Sequence, residues 1–306
     1  MIYTVTMNPA LDYRIYTEQI NHGKINWSER EELHAGGKGI NVSAVLHSFG
    51  VETTALGFVG GQTGEMLCRF LDQDKIANDF LRVRGLTRIN VKVREKKSET
   101  DINGAGPEVT QKDLDRLVEK LVQVPENSVV VLAGSVPSSL SQESYSYILE
   151  SLQGKDLRIV ADTAGRLLKG ILKYRPWLVK PNREELSELF GVMVENCSQA
   201  YELAQELIRM GARNVIVSLG EDGAIFMSDQ GKKERAASYF GCVKDTVGSG
   251  DALLAAFLAA KESGANDRQA LSLGVAAGCA TAFRSGLASA AETSLLMENG
   301  ILKKIE

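Results

Sequence analysis

Short apolar runs of strand length alternate with amphipathic helical stretches, and this predicts an α/β protein with a mostly parallel sheet covered by helices on both faces. A glycine turn opens an alanine- and leucine-rich helix near the C-terminus, as expected where an open α/β sheet builds a ligand site. Two polar strand-like segments interrupt the alternation, so a small second sheet is expected beside a three-layer α/β/α body.

In chain order, residues 1–6 read as a strand. The polar segments at about 12–35 and 88–103 carry alternating sequences such as Asp12-Tyr13-Arg14-Ile15-Tyr16 and Ile89-Asn90-Val91-Lys92-Val93-Arg94, which suit a half-exposed sheet. Such a sheet serves as a lid over a site or as a surface between subunits. Helices are expected over 38–49, 63–73, 111–122, 141–152, 183–190 and 198–210, the last ending at Gly211 as a C-cap. Strands are expected at 129–132, 158–161, 177–179 and 214–217.

The 306 residues suffice for one large α/β domain with an insertion or for two ordinary domains. With 44% hydrophobic and 24% charged residues the composition is that of a globular protein. A net charge of -4 argues against a nucleic-acid partner, and no run of about 18 apolar residues offers a membrane span. Cys68, Cys197, Cys242 and Cys279 lie far apart with no metal-ligand spacing, so neither zinc nor a disulfide framework is indicated and the cytoplasm is the expected compartment.

Asp245-Thr246-Val247-Gly248-Ser249-Gly250-Asp251 carries the strongest chemical signal. Its two glycines allow a turn whose N–H groups face one point, and the helix behind adds the positive end of its dipole, so an anion is stabilised there. Asp251 is then either a catalytic base beside that anion or a first-turn carboxylate complementing the dipole. Ala35-Gly36-Gly37-Lys38-Gly39-Ile40-Asn41 opens another helix but fits neither the P-loop nor the dinucleotide fingerprint. Lys38 and Asn41, one turn apart, offer a cation for a phosphate and an amide for a sugar hydroxyl, unless the segment is only a glycine turn with a solvated lysine. Gly134-Ser135 and Lys180-Pro181-Asn182-Arg183-Glu184-Glu185 lie at strand ends, Asn182 and Glu185 having the spacing of a capping box. Ser218-Leu219-Gly220-Glu221-Asp222-Gly223 joins two strands with a backbone that a flat ligand can approach, as a simple hairpin also would.

Taken together and in this order, Asn8-Pro9-Ala10-Leu11-Asp12, Gly36-Gly37-Lys38-Gly39-Ile40-Asn41-Val42, Thr87-Arg88-Ile89-Asn90-Val91-Lys92, Lys180-Pro181-Asn182-Arg183-Glu184-Glu185-Leu186 and Thr246-Val247-Gly248-Ser249-Gly250-Asp251 resemble the ribokinase-like (PfkB-type) family of carbohydrate kinases. The resemblance runs from Thr6 to the C-terminal helices and implies a single ribokinase-like domain over 1–306 with a lid inserted at about 12–35 and 88–103. It implies ATP-dependent phosphorylation of fructose 1-phosphate at its 6-hydroxyl, with tagatose 6-phosphate as the alternative sugar and a non-catalytic sugar-phosphate binder as the remote one. Asp251 would accept the hydroxyl proton, kept ionised by its helix terminus, while N–H groups from Gly248 through Ser249 and Gly250 to Asp251 hold the transferring phosphoryl group. Asp12 and Asn41 would hold sugar hydroxyls, Lys38 and Arg88 the phosphate already on the substrate, and Gly37 and Ser135 would also belong to the substrate site. Lys180, Asn182 and Ser218, Leu219, Gly220, Glu221, Asp222 and Gly223 would bind ATP, with Glu185 reaching Mg²⁺ through water. Some members also use K⁺ near the Asp245 loop. The lid implies a homodimer. Ser249 and Ala252 stand where close relatives usually carry Ala and Ser, which leaves the base and the N–H groups intact.

Overall fold

The computed structural model describes residues 1–96 and 98–303; residue 97 of the expected 88–103 segment and residues 304–306 of the expected 1–306 domain lie outside the described residues. The chain runs β1 (Ile2–Thr6), β2 (Ala10–Tyr16), β3 (Arg30–Gly36), α1 (Lys38–Ser48), β4 (Thr53–Gly60), α2 (Gly61–Gln73), β5 (Leu81–Val83), β6 (Arg88–Arg94) and β7 (Glu99–Ile102). It continues through α3 (Gln111–Val122), β8 (Val129–Ala133), α4 (Ser144–Ser151), β9 (Arg158–Asp162), α5 (Gly165–Ile171), β10 (Leu178–Val179), α6 (Arg183–Phe190), α7 (Cys197–Arg209) and β11 (Asn214–Ser218). It closes with β12 (Ala224–Ser228), β13 (Lys233–Ala236), α8 (Ser249–Glu262), α9 (Asp267–Ala282) and α10 (Ala290–Asn299).

The large sheet has the order β13-β12-β11-β10-β9-β8-β1-β4-β5. Every neighbouring pair from β11 to β5 is parallel, and only the β11–β12 and β12–β13 pairs are antiparallel. Strand alternation explains the two cores. Val129, Val131 and Ala133 face α1, α8 and α9, whereas Val130 and Leu132 face the layer of α3, α4, α5 and α7. This is the three-layer, mostly parallel architecture that the sequence predicts. The expected helices at 111–122 and 183–190 match α3 and α6 to the residue, while α5, too short for a clear period, escapes the sequence reading.

The smaller sheet, ordered β3-β2-β6-β7, comes from the two polar segments. β2 pairs parallel with β6, so Asp12 lies opposite Asn90. Leu11 on its inner side joins Ile40, Val59 and Leu67 in a third core cluster. It is less open than the alternating sequence suggests: Arg14, Asn90 and Lys92 are all buried.

Helix α8 is buried from Asp251 through Ala260, which its small side chains permit. Close approach of α9 demands glycine: a Cβ at Gly274 would stand 2.8 Å from the Leu253 carbonyl. Among the described residues no helix is long and apolar enough to cross a membrane.

Candidate active site

Parallel strands deliver their C-terminal ends to one edge of the large sheet, where β1 ends at Thr6, β8 at Ala133, β9 at Asp162 and β10 just before Lys180. The N-termini of α1, α6 and α8 meet the same edge around a cavity of about 980 Å³. Asp12, Gly37, Lys38, Asn41 and Arg88 line one side of it, Lys180, Asn182, Glu185 and the 218–223 turn another, and the 248–251 turn its floor. A smaller cavity of about 350 Å³ branches off beside Lys38, Arg88 and Ser135.

The α8 turn forms because Gly248 takes φ 81°, a left-handed conformation that suits glycine. No side chain caps this terminus, which leaves its dipole open to the cavity. Ser249 N–H already donates to the Thr246 carbonyl at 3.2 Å. The expected row of four donors is therefore reduced to Gly248, Gly250 and Asp251, while the buried Ser249 hydroxyl has no hydrogen-bond partner in the protein. Lys180 reinforces the anion site: a Cβ at Gly250 would stand 3.2 Å from its Nζ.

Asp251 is 6% exposed, and its Oδ2 accepts a 2.7 Å hydrogen bond from Asn41 Nδ2. Burial, and then the nearby Asp162 carboxylate, push its pKa up to about 6 against the opposing pull of Lys38, Asn41 and Lys180. The helix terminus is expected to keep this group ionised; desolvation outweighs the dipole at a carboxyl this deep and brings its pKa closer to neutrality than a helix terminus alone would. A base near pH 6 is still ionised at neutrality yet strong enough to accept a proton.

Asp162, at the end of β9, is absent from the residues expected to form the site. It is fully buried with Lys38 Nζ 2.9 Å from Oδ1 and Lys180 Nζ 3.2 Å from Oδ2. Burial alone would raise its pKa, but Lys180 and Lys38 hold the carboxyl below its ordinary value. Lys38 also stands 3.4 Å from Glu185 Oε1, and despite burial its acidic neighbours raise its pKa. Paired with these carboxylates yet 36% exposed in its side chain, Lys38 bridges the sugar side of the cavity and the strand ends and can still reach a ligand.

Glu185 and Asn182 form the expected capping box: Glu185 N–H donates to Asn182 Oδ1 at 2.7 Å and Asn182 N–H to Glu185 Oε2 at 2.9 Å. Both side chains are thus held rigid at the cavity wall. Among the described residues no three acidic, His or Cys groups gather as a metal cage. Such a wall fits Mg²⁺ that arrives on a nucleotide's phosphates and keeps most of its waters. The 218–223 segment turns through a short 3-10 stretch at Gly220–Asp222, pinned by ion pairs of Arg183 with Asp222 and of Lys303 with Glu221. Leu219 is buried and Ser218 lies at the β11 end. Apolar side chains missed by sequence reasoning, Leu253, Val275 and Phe283, line the same cavity beside Gly220 and Gly223 and suit a flat heterocycle.

On the small sheet, Arg88, Asn90 and Lys92 share one face of β6 by strand alternation, a signal that could have identified all three. Asp12 Oδ1 accepts from Asn90 Nδ2 at 2.9 Å, and Lys92 Nζ lies 3.4 Å from Oδ2. Gly36 permits this arrangement, since a Cβ there would stand 2.7 Å from the Asp12 carboxyl. Arg88 donates Nε to the Asn8 carbonyl at 3.1 Å and Nη1 to the Gly104 carbonyl at 3.4 Å. Neither carbonyl neutralises it, and it faces the smaller cavity with Lys38 and Ser135.

The family model of pfkB family carbohydrate kinases matches residues 6–294. A 1-phosphofructokinase of Bacillus subtilis (strain 168) is 40% identical over 292 residues, 94% of this chain and 94% of its own. A D-tagatose-1-phosphate kinase of Bacillus licheniformis is 34% identical over 288 residues, again 94% of each chain. Phosphofructokinase-2 from Escherichia coli, solved in complex with fructose-6-phosphate, superposes with a TM-score of 0.89 at 27% identity over 97% of this chain and 98% of that one. The same enzyme has been solved in complex with potassium.

Proposed function

The chain belongs to the pfkB family of carbohydrate kinases, and from that premise and the site geometry we propose that it transfers the γ-phosphoryl group of ATP to the 6-hydroxyl of fructose 1-phosphate. The observation that carries this reading is the buried Asp251–Asn41 pair at the open α8 terminus, set between a cationic sugar-phosphate pocket and the 218–223 turn.

In the reaction Asp251 takes the proton from O6 as that oxygen attacks the γ-phosphorus, and the bond to the bridging oxygen breaks to release ADP. N–H groups of Gly248, Gly250 and Asp251, with the Lys180 ammonium, stabilise charge on the phosphoryl oxygens in flight. Asn41 aims the base. Asp12 receives sugar hydroxyls in an orientation fixed by Asn90 and Lys92, with the Gly37 backbone beside it, and the C1 phosphate lies against Lys38, Arg88 and Ser135. Lys180, Asn182 and the Ser218–Gly223 turn with Leu219, Gly220, Glu221 and Asp222 hold the nucleotide. Glu185 would hold, through a water, the Mg²⁺ that accompanies the nucleotide, and that ion would supply neutralising charge to the phosphates. The small sheet acts as a lid on a single domain, excluding water that would otherwise take the phosphoryl group.

The tagatose kinase among the relatives is described as acting on a 1-phosphate, which gives a second reading: D-tagatose 1-phosphate, the C4 epimer, with the phosphate in the same pocket. The discriminating experiment is kcat/KM for fructose 1-phosphate, tagatose 1-phosphate, tagatose 6-phosphate, fructose 6-phosphate and free fructose, read by ADP release. Fructose 1-phosphate is expected to lead; a lead by either 6-phosphate would reverse the sugar in the site. Arg88→Ala is expected to lower kcat/KM for fructose 1-phosphate by roughly 10²-fold while changing free fructose by less than threefold. Equal losses on both would remove Arg88 from the phosphate pocket.

We also assign the chain to the cytoplasm and to a homodimer formed through the small sheet. Ile25 and Trp27, 82% and 83% exposed, project from the segment joining β2 and β3, and Ile102 is 62% exposed on the edge strand β7. Exposed apolar groups beside open strand edges favour pairing with a like surface. A dimer is expected by sedimentation at micromolar concentration, and Trp27→Asp is expected to weaken it at least tenfold; a wild-type monomer would contradict the assignment.

A further inference from the structure

A helix C-terminus and a carboxylate meet at the corner beneath the catalytic turn. Helix α9 ends there at Ala282, whose carbonyl accepts N–H groups from Lys244 at 2.8 Å and Asp245 at 3.2 Å. The Asp245 carboxylate adds a full charge to that negative helix end. Asp245 also shapes the turn, because its Oδ1 accepts the Val247 N–H at 2.9 Å, one residue before Gly248. A carboxylate in this setting needs a counter-cation to keep its orientation.

This chain supplies one from the small sheet. Arg14 on β2 reaches across with Nη1 2.8 Å from Asp245 Oδ2 and 3.4 Å from Ser285 Oγ, and the paired side chains are only 8% and 13% exposed. Both carboxylate oxygens of Asp245 are thereby engaged by the protein itself. A K⁺ of the kind that some family members use near this loop would here meet a guanidinium already paired with the Asp245 carboxylate.

We infer that Arg14 is a built-in cation that positions the 245–251 turn through Asp245 and makes phosphoryl transfer in this chain independent of a monovalent metal ion at that loop. Arg14 does not touch the reacting atoms. It is a positioning residue that ties the small sheet to the turn carrying Gly248, Gly250 and Asp251. Its charge is permanent, unlike that of a bound ion, whose occupancy follows its concentration.

The kinetic part of the test rests on the kinase reading; the thermal part does not, so failure of one is distinguishable from failure of the other. Wild-type protein is compared in potassium chloride and in tetramethylammonium chloride at equal ionic strength. The inference expects kcat to agree within twofold and the melting temperature, measured without substrate, to agree within about 1 °C. A tenfold fall in kcat without K⁺, or a K⁺-specific rise in melting temperature of several degrees, would overturn it. Arg14→Ala is expected to lose at least tenfold in kcat in tetramethylammonium chloride, with KM for the sugar phosphate changed less than threefold, and to recover part of that loss in potassium chloride. Retention of kcat within twofold would remove Arg14 as a positioning residue. If Arg14→Ala does not fold, Arg14→Lys takes its place: it is expected to keep kcat within tenfold and to ignore K⁺, and K⁺ stimulation of that variant counts against the inference.

Discussion

Asp251→Asn is expected to lower kcat by about 10³–10⁴-fold and to melt no lower than the wild type. The amide retains the shape and a partner for Asn41 but cannot accept the hydroxyl proton. Its effect on stability follows from the sign of the pKa shift. The folded-state pKa, about 6, lies above that of an unfolded carboxyl, so this group favours the fold only at low pH, and the contribution is lost as pH rises through about 6. At neutral pH the ionised carboxylate is a burden that the amide removes, and a gain of roughly 2–5 °C is expected. Calorimetry and single-turnover kinetics on the variant check both halves. A kcat within tenfold of the wild type would dismiss Asp251 as the base.

The second large effect is expected at Asp162. This carboxylate, fully buried, compensates Lys38 and Lys180 at once. Removing one partner from a buried ionic cluster leaves uncompensated charge and costs about 3–5 kcal/mol, so Asp162→Asn is expected to melt roughly 10 °C lower. Its kinetics carry a more specific signature. Asp162 is one of the causes that raise Asp251, so without it the acid limb of kcat/KM, expected near pH 6 in the wild type, should move to lower pH. Loss of stability with an unmoved acid limb would confine Asp162 to a structural role.

Much of this site was legible in the sequence because local backbone chemistry marks it. The Gly248–Asp251 turn, the Asn182–Glu185 capping box and the Gly36–Asn41 helix start each depend on residue types at fixed short spacing, and each stands where the sequence places it. Asp162 escaped because a single carboxylate closing an apolar strand has no local signature; its meaning comes from lysines 124 and 18 positions away in the chain. Arg14 escaped for the opposite reason: a charged residue in an alternating strand reads as solvated until Asp245 is seen against it. Leu253, Val275 and Phe283 read as ordinary core, since periodicity does not tell a buried contact from a cavity wall. Asn90 and Lys92, by contrast, were within reach through the two-residue period they share with Arg88.

The central claim is a phosphoryl transfer to the free primary hydroxyl of a ketose 1-phosphate with Asp251 as base. Phosphorus NMR of the product from ATP, Mg²⁺ and fructose 1-phosphate tests it most directly. A second phosphomonoester at C6, formed with equimolar ADP by the wild type and absent with Asp251→Asn, is the predicted result. ADP without sugar bisphosphate, a phosphate at another carbon, or the same product from Asp251→Asn would contradict it.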